Sequence, residues 1–386
     1  MSVEFDGGDR PARSLTPAAP SPLNGTATLQ ADAPVDPFSE PKRAAFLNAL
    51  VDAIEGEVDA TTGTRARYST DAGLYRIPPL ALVFPASVED VLTTLDLARE
   101  YEIPVTSRGG GTSCAGNAIG PGIVLDFTRH LNKVVSIDPH SRTAVVEPGC
   151  IEASLQEAAA PFGLRFGPDP SSQNRASIGG MVGNNACGPH ATAWGRTADN
   201  IVALDCVDGL GRRFTAKLEH DASLSEVPGL AELIDSNLGI IRTELGTFGR
   251  QVSGYSLEHL TPEKHRNLAA MLVGTEGTLV TILQITVRLV DLPKAPVLVA
   301  LGYPDMIAAA DDVPTVLEHH PLAVEGLDSR LVDVVRRHNG PGAVPELPSG
   351  QGWMLCEVGG TDLEDSLTRA RALVASAHTD AAAIYP

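Results

Sequence analysis

Apolar residues recur along this chain with two periods, and the stretches where both periods fail turn out to be the informative ones. Phe46, Leu47, Leu50, Val51 and Ile54 return at helical spacing, so a helix is expected from Pro41 onward. Residues 81–84 form a short apolar run closed by Pro85. Ser87, three positions before Asp90, then reads as the N-cap of a helix running to about residue 99. Strands are expected at residues 103–106 and 122–125, and a hairpin at 133–138 and 143–147 around Pro139-His140-Ser141. A helix should cover residues 152–160. A second hairpin is expected at 201–205 and 213–216, a helix near 230–238, and strands at 268–273 and 278–289. Residues 65–75 show no clean period and read as a loop. This β-α-β start followed by mixed strands is an α+β pattern rather than a doubly wound sheet.

After Pro293 the pattern changes. Strands at 297–303, 323–327 and 353–358 alternate with helices at 306–318 and 362–377, a β-α-β-β-α order. That is a ferredoxin-like unit lacking its last strand, so the chain reads as cut short there. Residues 1 to about 40 are rich in Pro, Ala, Ser, Thr and Gly without any period, and are expected to be a disordered leader.

Composition narrows the function. With 386 residues, 43% hydrophobic and 20% charged, the chain can bury a large core and should hold more than one domain. A net charge of −19 argues against nucleic acid or an anionic membrane as main partner, and an anionic ligand would need a local site that overrides the field. The five cysteines (Cys114, Cys150, Cys187, Cys206 and Cys356) include no CxxC pair, so neither a disulfide framework nor a metal site is expected and the chain reads as reduced and intracellular. No stretch reaches the length of a membrane helix.

Two stretches break the periodicity. The first, RGGGTSCAG at residues 108–116, follows a strand; consecutive glycines let neighbouring N–H groups converge on an anion such as a pyrophosphate, with hydroxyls from Thr112 and Ser113 beside them. A ligand-free tight turn fits three glycines equally well. The string is neither GxGxxG nor GxxxxGK[ST], which weakens the nicotinamide and P-loop readings. The second stretch, residues 167–188, packs glycines, small residues and amides into one run with almost no charge. The glycine-dense stretch it belongs to continues to residue 195, is too long for an ordinary turn and reads as a functional loop with little regular structure.

RGGGTSCAG, PDPSSQNRASIGGMVGNNACGP, WGRTADN and VGTEGTL, in this order, closely resemble the FAD-binding domain of the p-cresol methylhydroxylase and vanillyl-alcohol oxidase (PCMH) type. YSTDAGLYR and PASVEDV place the nearest likeness in the branch of FAD-linked D-lactate dehydrogenases and the glycolate oxidase flavin subunit. The resemblance implies a two-subdomain FAD-binding domain over residues 41–292, divided near 150, and a partial ferredoxin-like cap over 293–386. It carries pyrophosphate binding onto Arg108, Gly109, Gly110, Gly111, Thr112, Ser113 and Gly116. It carries contacts along the pyrophosphate and ring onto Asn174, Ser177, Gly179, Gly180, Asn184, Ala186 and Gly188, with Gly277 and Thr278 returning to the flavin.

Thr112 stands where some relatives link FAD through histidine, and no cysteine lies around Asn174 and Arg175, so FAD should be held non-covalently. The implied reaction is hydride transfer from a 2-hydroxy acid such as D-lactate or glycolate, with a quinone, cytochrome or iron–sulfur partner as electron acceptor. The implied setting is the cytoplasm, or the inner face of a membrane. Arg76, Arg175 and Arg196 are candidate carboxylate clamps by proximity alone, and His190 is a polar residue of the second stretch. The histidines that relatives place in the cap have no counterpart here, so an FAD-binding portion needing a partner chain is the competing reading.

Overall fold

The computed structural model describes residues 39–217, 224–249 and 254–386, and the expected leader lies outside them. Three sheets follow one another along the chain. The first region runs α1 (Glu40–Ala53), β1 (Glu57–Asp59), α2 (Thr62–Arg67), β2 (Ala81–Phe84), α3 (Val88–Glu100), β3 (Val105–Arg108) and β4 (Ile123–Asp126). Its sheet has the order β1-β2-β4-β3, with β2, β4 and β3 parallel and β1 antiparallel at the edge. Parallel strands covered on both faces should be continuously apolar, and β2 and β4 are buried at every position. The Ser87 hydroxyl accepts from the Asp90 N–H, so the expected cap forms.

The second region runs β5 (Val134–Asp138), β6 (Thr143–Val146), α4 (Glu152–Ala159), β7 (Leu164–Phe166), α5 (Ile178–Asn184), α6 (Ala191–Trp194), β8 (Ile201–Asp208), β9 (Arg213–Lys217), α7 (Leu230–Glu244), α8 (Leu268–Leu272) and β10 (Val280–Asp291). The twelve-residue β10 is its spine: β6 and β8 flank it, β5 and β9 lie at the edges, and β7 pairs with its C-terminal end. Because the β5–β6 hairpin joins this sheet, strand pairing divides the regions between Asp126 and Val134, not near residue 150.

The third region runs β11 (Lys294–Tyr303), α9 (Met306–Asp311), α10 (Val313–Leu317), β12 (Ala323–Asp328), α11 (Ser329–Asn339), β13 (Gly352–Gly360), α12 (Leu363–Ser376) and β14 (Ala381–Tyr385). Its antiparallel sheet has the order β12-β13-β11-β14, which is the ferredoxin-like arrangement. The last strand, expected to be missing, is therefore formed by Ala381–Tyr385 alongside β11.

Four other expectations are corrected. Residues 65–75 begin inside the short helix α2, capped by Thr61, and residues 167–195 contain α5 and α6. Residues 268–272 are helical rather than extended. All five are buried, so no period shows, but Asn267 caps the helix by accepting from the Ala270 N–H. The single helix expected over 306–318 is two, because Pro314, the second residue of α10, has no N–H to continue the ladder. At that break Asp312 turns its carboxylate to the Tyr303 hydroxyl, 2.7 Å away. No helix among the described residues is long and apolar enough to cross a membrane.

Candidate functional site

The first glycine stretch leaves the carboxyl end of β3 beside the parallel end of β4, a place where α/β sheets commonly hold ligands. A cleft opens there, walled by the first stretch from Ser107 to Cys114, by α5 and the turn before it, and by Glu276, Gly277, Val280 and Ile282. It brings together Arg108, Gly109, Gly110, Gly111, Thr112, Ser113, Ser177, Gly179, Gly180, Asn184, Ala186 and Gly277 from the sequence expectation.

Two physical reasons account for the glycines. A Cβ on Gly109 would stand 1.9 Å from the Ser177 hydroxyl oxygen, and one on Gly110 would stand 2.0 Å from the Arg175 carbonyl oxygen, so both are bare because the two stretches touch. Gly111 has φ +63°, which disfavours a side chain for a different reason. By contrast, a Cβ on Gly180 meets only the Ser177 hydroxyl oxygen at 3.1 Å, and Gly183 meets nothing closer than 4.0 Å. These two leave the cleft floor open rather than permit packing.

Among the described residues, no protein acceptor receives the backbone N–H of Gly109, Gly110, Gly111, Thr112 or Ser113. Five successive donors that no described protein group receives, on residues lining a cleft, form a run that an anion can take up. A pyrophosphate fits this donor set, and the apolar part of the wall (Phe127, Pro148, Met181, Val280 and Ile282) suits the flat ring of a flavin. The charge of the anion would be met by N–H dipoles rather than cations. Arg108 borders the cleft, yet its Nη1 donates to the carbonyls of Thr70 (3.0 Å) and Ala118 (3.1 Å), and its guanidinium lies 4.8 Å over the Tyr68 ring. Burial pulls its pKa below the ordinary arginine value. Arg108 thus ties the stretch down from behind.

Most donors of the second stretch are taken up by the protein. The N–H groups of Gln173, Arg175, Ala176, Ile178 and Gly179 donate to backbone carbonyls, and that of Gly180 donates to the Ser177 hydroxyl at 3.1 Å. Asn185 ends α5 in the left-handed region at φ 51°, and its side-chain oxygen accepts from the Ala198 N–H.

Several expected residues lie away from the cleft walls. A Cβ on Gly116 would crowd Tyr75 at 2.8 Å, Asn174 is exposed, and a Cβ on Gly188 would lie 2.1 Å from the Asp169 carbonyl oxygen. Thr278 bonds Tyr255 and Thr275. Arg76 is exposed and contacts Ser69, Arg175 is exposed, and Arg196 pairs with Asp199 at 3.4 Å, so none of the three is set as a clamp inside the cleft.

Asn117, which sequence reasoning passed over, links the two walls: it accepts from Ser113 and its Nδ2 donates to Asn184 Oδ1 at 3.1 Å. Its only signal was its place directly after the first motif. Glu276, not among the expected site residues, is the carboxylate on the wall, held at φ 54° by its N–H to Gly183. His190 was read as an ordinary loop residue, but it is buried between two acids, described below.

The model for an FAD binding domain matches residues 79–217, and that for the C-terminal domain of FAD linked oxidases matches residues 292–384. A D-2-hydroxyglutarate dehydrogenase of Pseudomonas putida is 32% identical over 303 residues, which is 74% of this chain and 30% of that protein. A D-lactate dehydrogenase of Archaeoglobus fulgidus is 30% identical, covering 67% of this chain and 50% of the relative. The chain thus spans between about a third and a half of the length of these relatives. Among solved structures, an alkyldihydroxyacetonephosphate synthase superposes with TM-score 0.64 at 17% identity, over 90% of this chain and 61% of that one, a likeness of fold. With both domain models matched in order, this chain belongs to the FAD-linked oxidases.

Proposed function

We propose that this chain holds FAD non-covalently in the two-walled cleft and serves the oxidation of a 2-hydroxy acid, with D-2-hydroxyglutarate the first substrate to test. The observation that carries the FAD reading is the run of five unpartnered N–H groups from Gly109 to Ser113. The substrate class rests on the relatives' names, D-2-hydroxyglutarate dehydrogenase and D-lactate dehydrogenase. When bound, FAD supplies a hydride acceptor; the protein's part is to bind and orient. In this reading the first stretch neutralises the pyrophosphate by N–H dipoles. Asn117 keeps the two walls at fixed separation, and Met181, Val280 and Ile282 exclude water from the ring. Electrons leave to an external acceptor such as a quinone, cytochrome or iron–sulfur protein.

A second reading, FAD binding without independent turnover, is favoured by the wall itself. Its ionisable side chains are Arg108, Cys114 and Glu276, with no histidine to take the hydroxyl proton. One experiment separates the readings. The chain is reconstituted with FAD and offered D-2-hydroxyglutarate, D-lactate and glycolate with an artificial electron acceptor. Reduction by one of them supports the first reading; firmly bound FAD that none reduces supports the second. A chain that never retains FAD overturns both.

A further inference from the structure

Beyond the flavin cleft, the second stretch ends in an ionic cluster that faces the third region. His190, just before α6, is 9% exposed and stacks on Trp194 with ring centroids 5.0 Å apart and planes 15° from parallel. Its Nδ1 pairs with Asp169 Oδ2, and its Nε2 lies 3.1 Å from Glu357 Oε1 on β13. Asp169 is also held by Arg165 at 3.2 Å, and the Arg165 guanidinium lies 4.9 Å from the Trp194 ring. The bond to Glu357 crosses from the FAD-binding region to the C-terminal region; β10 also leads into β11 through Leu292 and Pro293, and α6 lies beside β12.

The geometry prescribes a protonation state. A neutral imidazole has one N–H, so placed between two carboxylates it turns a lone pair toward one of them. Only the doubly protonated ring donates to both. Arg165 and His190 then balance Asp169 and Glu357; loss of the proton leaves a net negative charge in a half-closed site. We propose that doubly protonated His190 is a clasp that registers the C-terminal sheet on the second glycine stretch, and that its deprotonation releases Glu357 and loosens that register. His190 is on this account a positioning residue for the C-terminal sheet, coupling proton activity to the alignment of the two regions.

Burial opposes the charge on His190, but its bonds to Asp169 and Glu357 outweigh burial and push its pKa up to about 9. A raised folded-state value means that the clasp is complete below the ordinary histidine value of about 6.5 and is lost as pH rises through about 9. The other charged groups on elements packed around it are Arg165, Glu152 on α4, and Glu325 and Asp328 on β12, the last paired with Arg330. Glu152 is pushed up to about 7, chiefly by burial, so it finishes titrating before His190.

The test is amide hydrogen exchange on the full chain, read as protection factors in β12 and β13 at pH 7 and pH 10, for the native protein and for E357Q, H190Q and the double variant. At pH 7, E357Q should lower protection about tenfold, the scale of a buried charge-assisted hydrogen bond. H190Q should do the same, and the double variant should add little. At pH 10 the native protein should already resemble E357Q. Equal losses at both pH values, additive losses in the double variant, or no loss in E357Q would each overturn the clasp. Should H190Q fail to fold, the pH series on E357Q alone still decides it.

Discussion

The two glycine stretches look alike as sequence and do opposite things. From Gly109 to Ser113, on residues that line a cleft, no described protein group takes up the backbone donors; from Gln173 to Gly180 most donors are taken up within the protein. The first is a binding surface and the second a scaffold that holds it in place. Glycine serves contact in both, since Gly109 and Gly110 are bare where the stretches meet and Gly179 is bare where α5 meets Pro148. Only Gly180 and Gly183 are bare toward the cleft. Glycine density therefore reports close approach of backbone, and the hydrogen-bond census decides whether the neighbour is protein or ligand.

The contrast is most severely tested at Gly110. A Cβ there collides with the Arg175 carbonyl, so G110V should push the stretches apart, cost about 3 kcal/mol in chemical denaturation and abolish FAD retention. Next comes Gly180, whose Cβ would press on the Ser177 hydroxyl at 3.1 Å but on no backbone atom, and which lines the cleft. G180V should weaken FAD binding by about a hundredfold in titration while the unfolding midpoint of the FAD-free protein stays within about 1 kcal/mol of native. If the two variants behaved alike, the division between contact glycines and cleft glycines would fail.

Glu152 sharpens the scaffold side. Its N–H donates to Ala176 and its carboxyl is fully buried, with Oε1 accepting from Gln156 and Oε2 unpartnered. Burial, aided by Asp169, pushes its pKa up to about 7. The folded protein thus holds this proton more tightly than the unfolded chain, and the destabilisation grows as pH rises from the ordinary carboxyl range to about 7. E152Q should leave stability unchanged near pH 4.5 and raise it by about 1–3 kcal/mol at pH 8, read from denaturation midpoints at both pH values. The smallest effect belongs to Ser177, whose hydroxyl caps α5. S177A should cost about 1 kcal/mol in the same measurement and weaken FAD retention only slightly, because the free donors lie on the other wall.

Legibility in the sequence followed local chemistry. The Ser87 cap, the β5–β6 hairpin and the apolar strands β2 and β4 could be read because each is specified by neighbouring residues. The helix α8 could not, since five buried residues have no polar face to set a period, and β14 was missed because Ala381–Tyr385 is a strand only by pairing with β11. The walls of the cleft were largely visible as motifs, whereas Gly116, Asn174, Gly188 and Thr278 belong to the same motifs and sit elsewhere.

By itself, then, the sequence determined that two bare backbone stretches exist, that the first follows a strand, and that few charges accompany the second. Glycine runs and capping residues act within a few positions of themselves, so they survive reading in one dimension. Only the tertiary structure decided which stretch keeps its donors free, that Arg108 faces its own backbone, and that His190 meets an acid 167 positions away. Those outcomes depend on which group fills the space opposite, and a sequence does not record what lies across a gap.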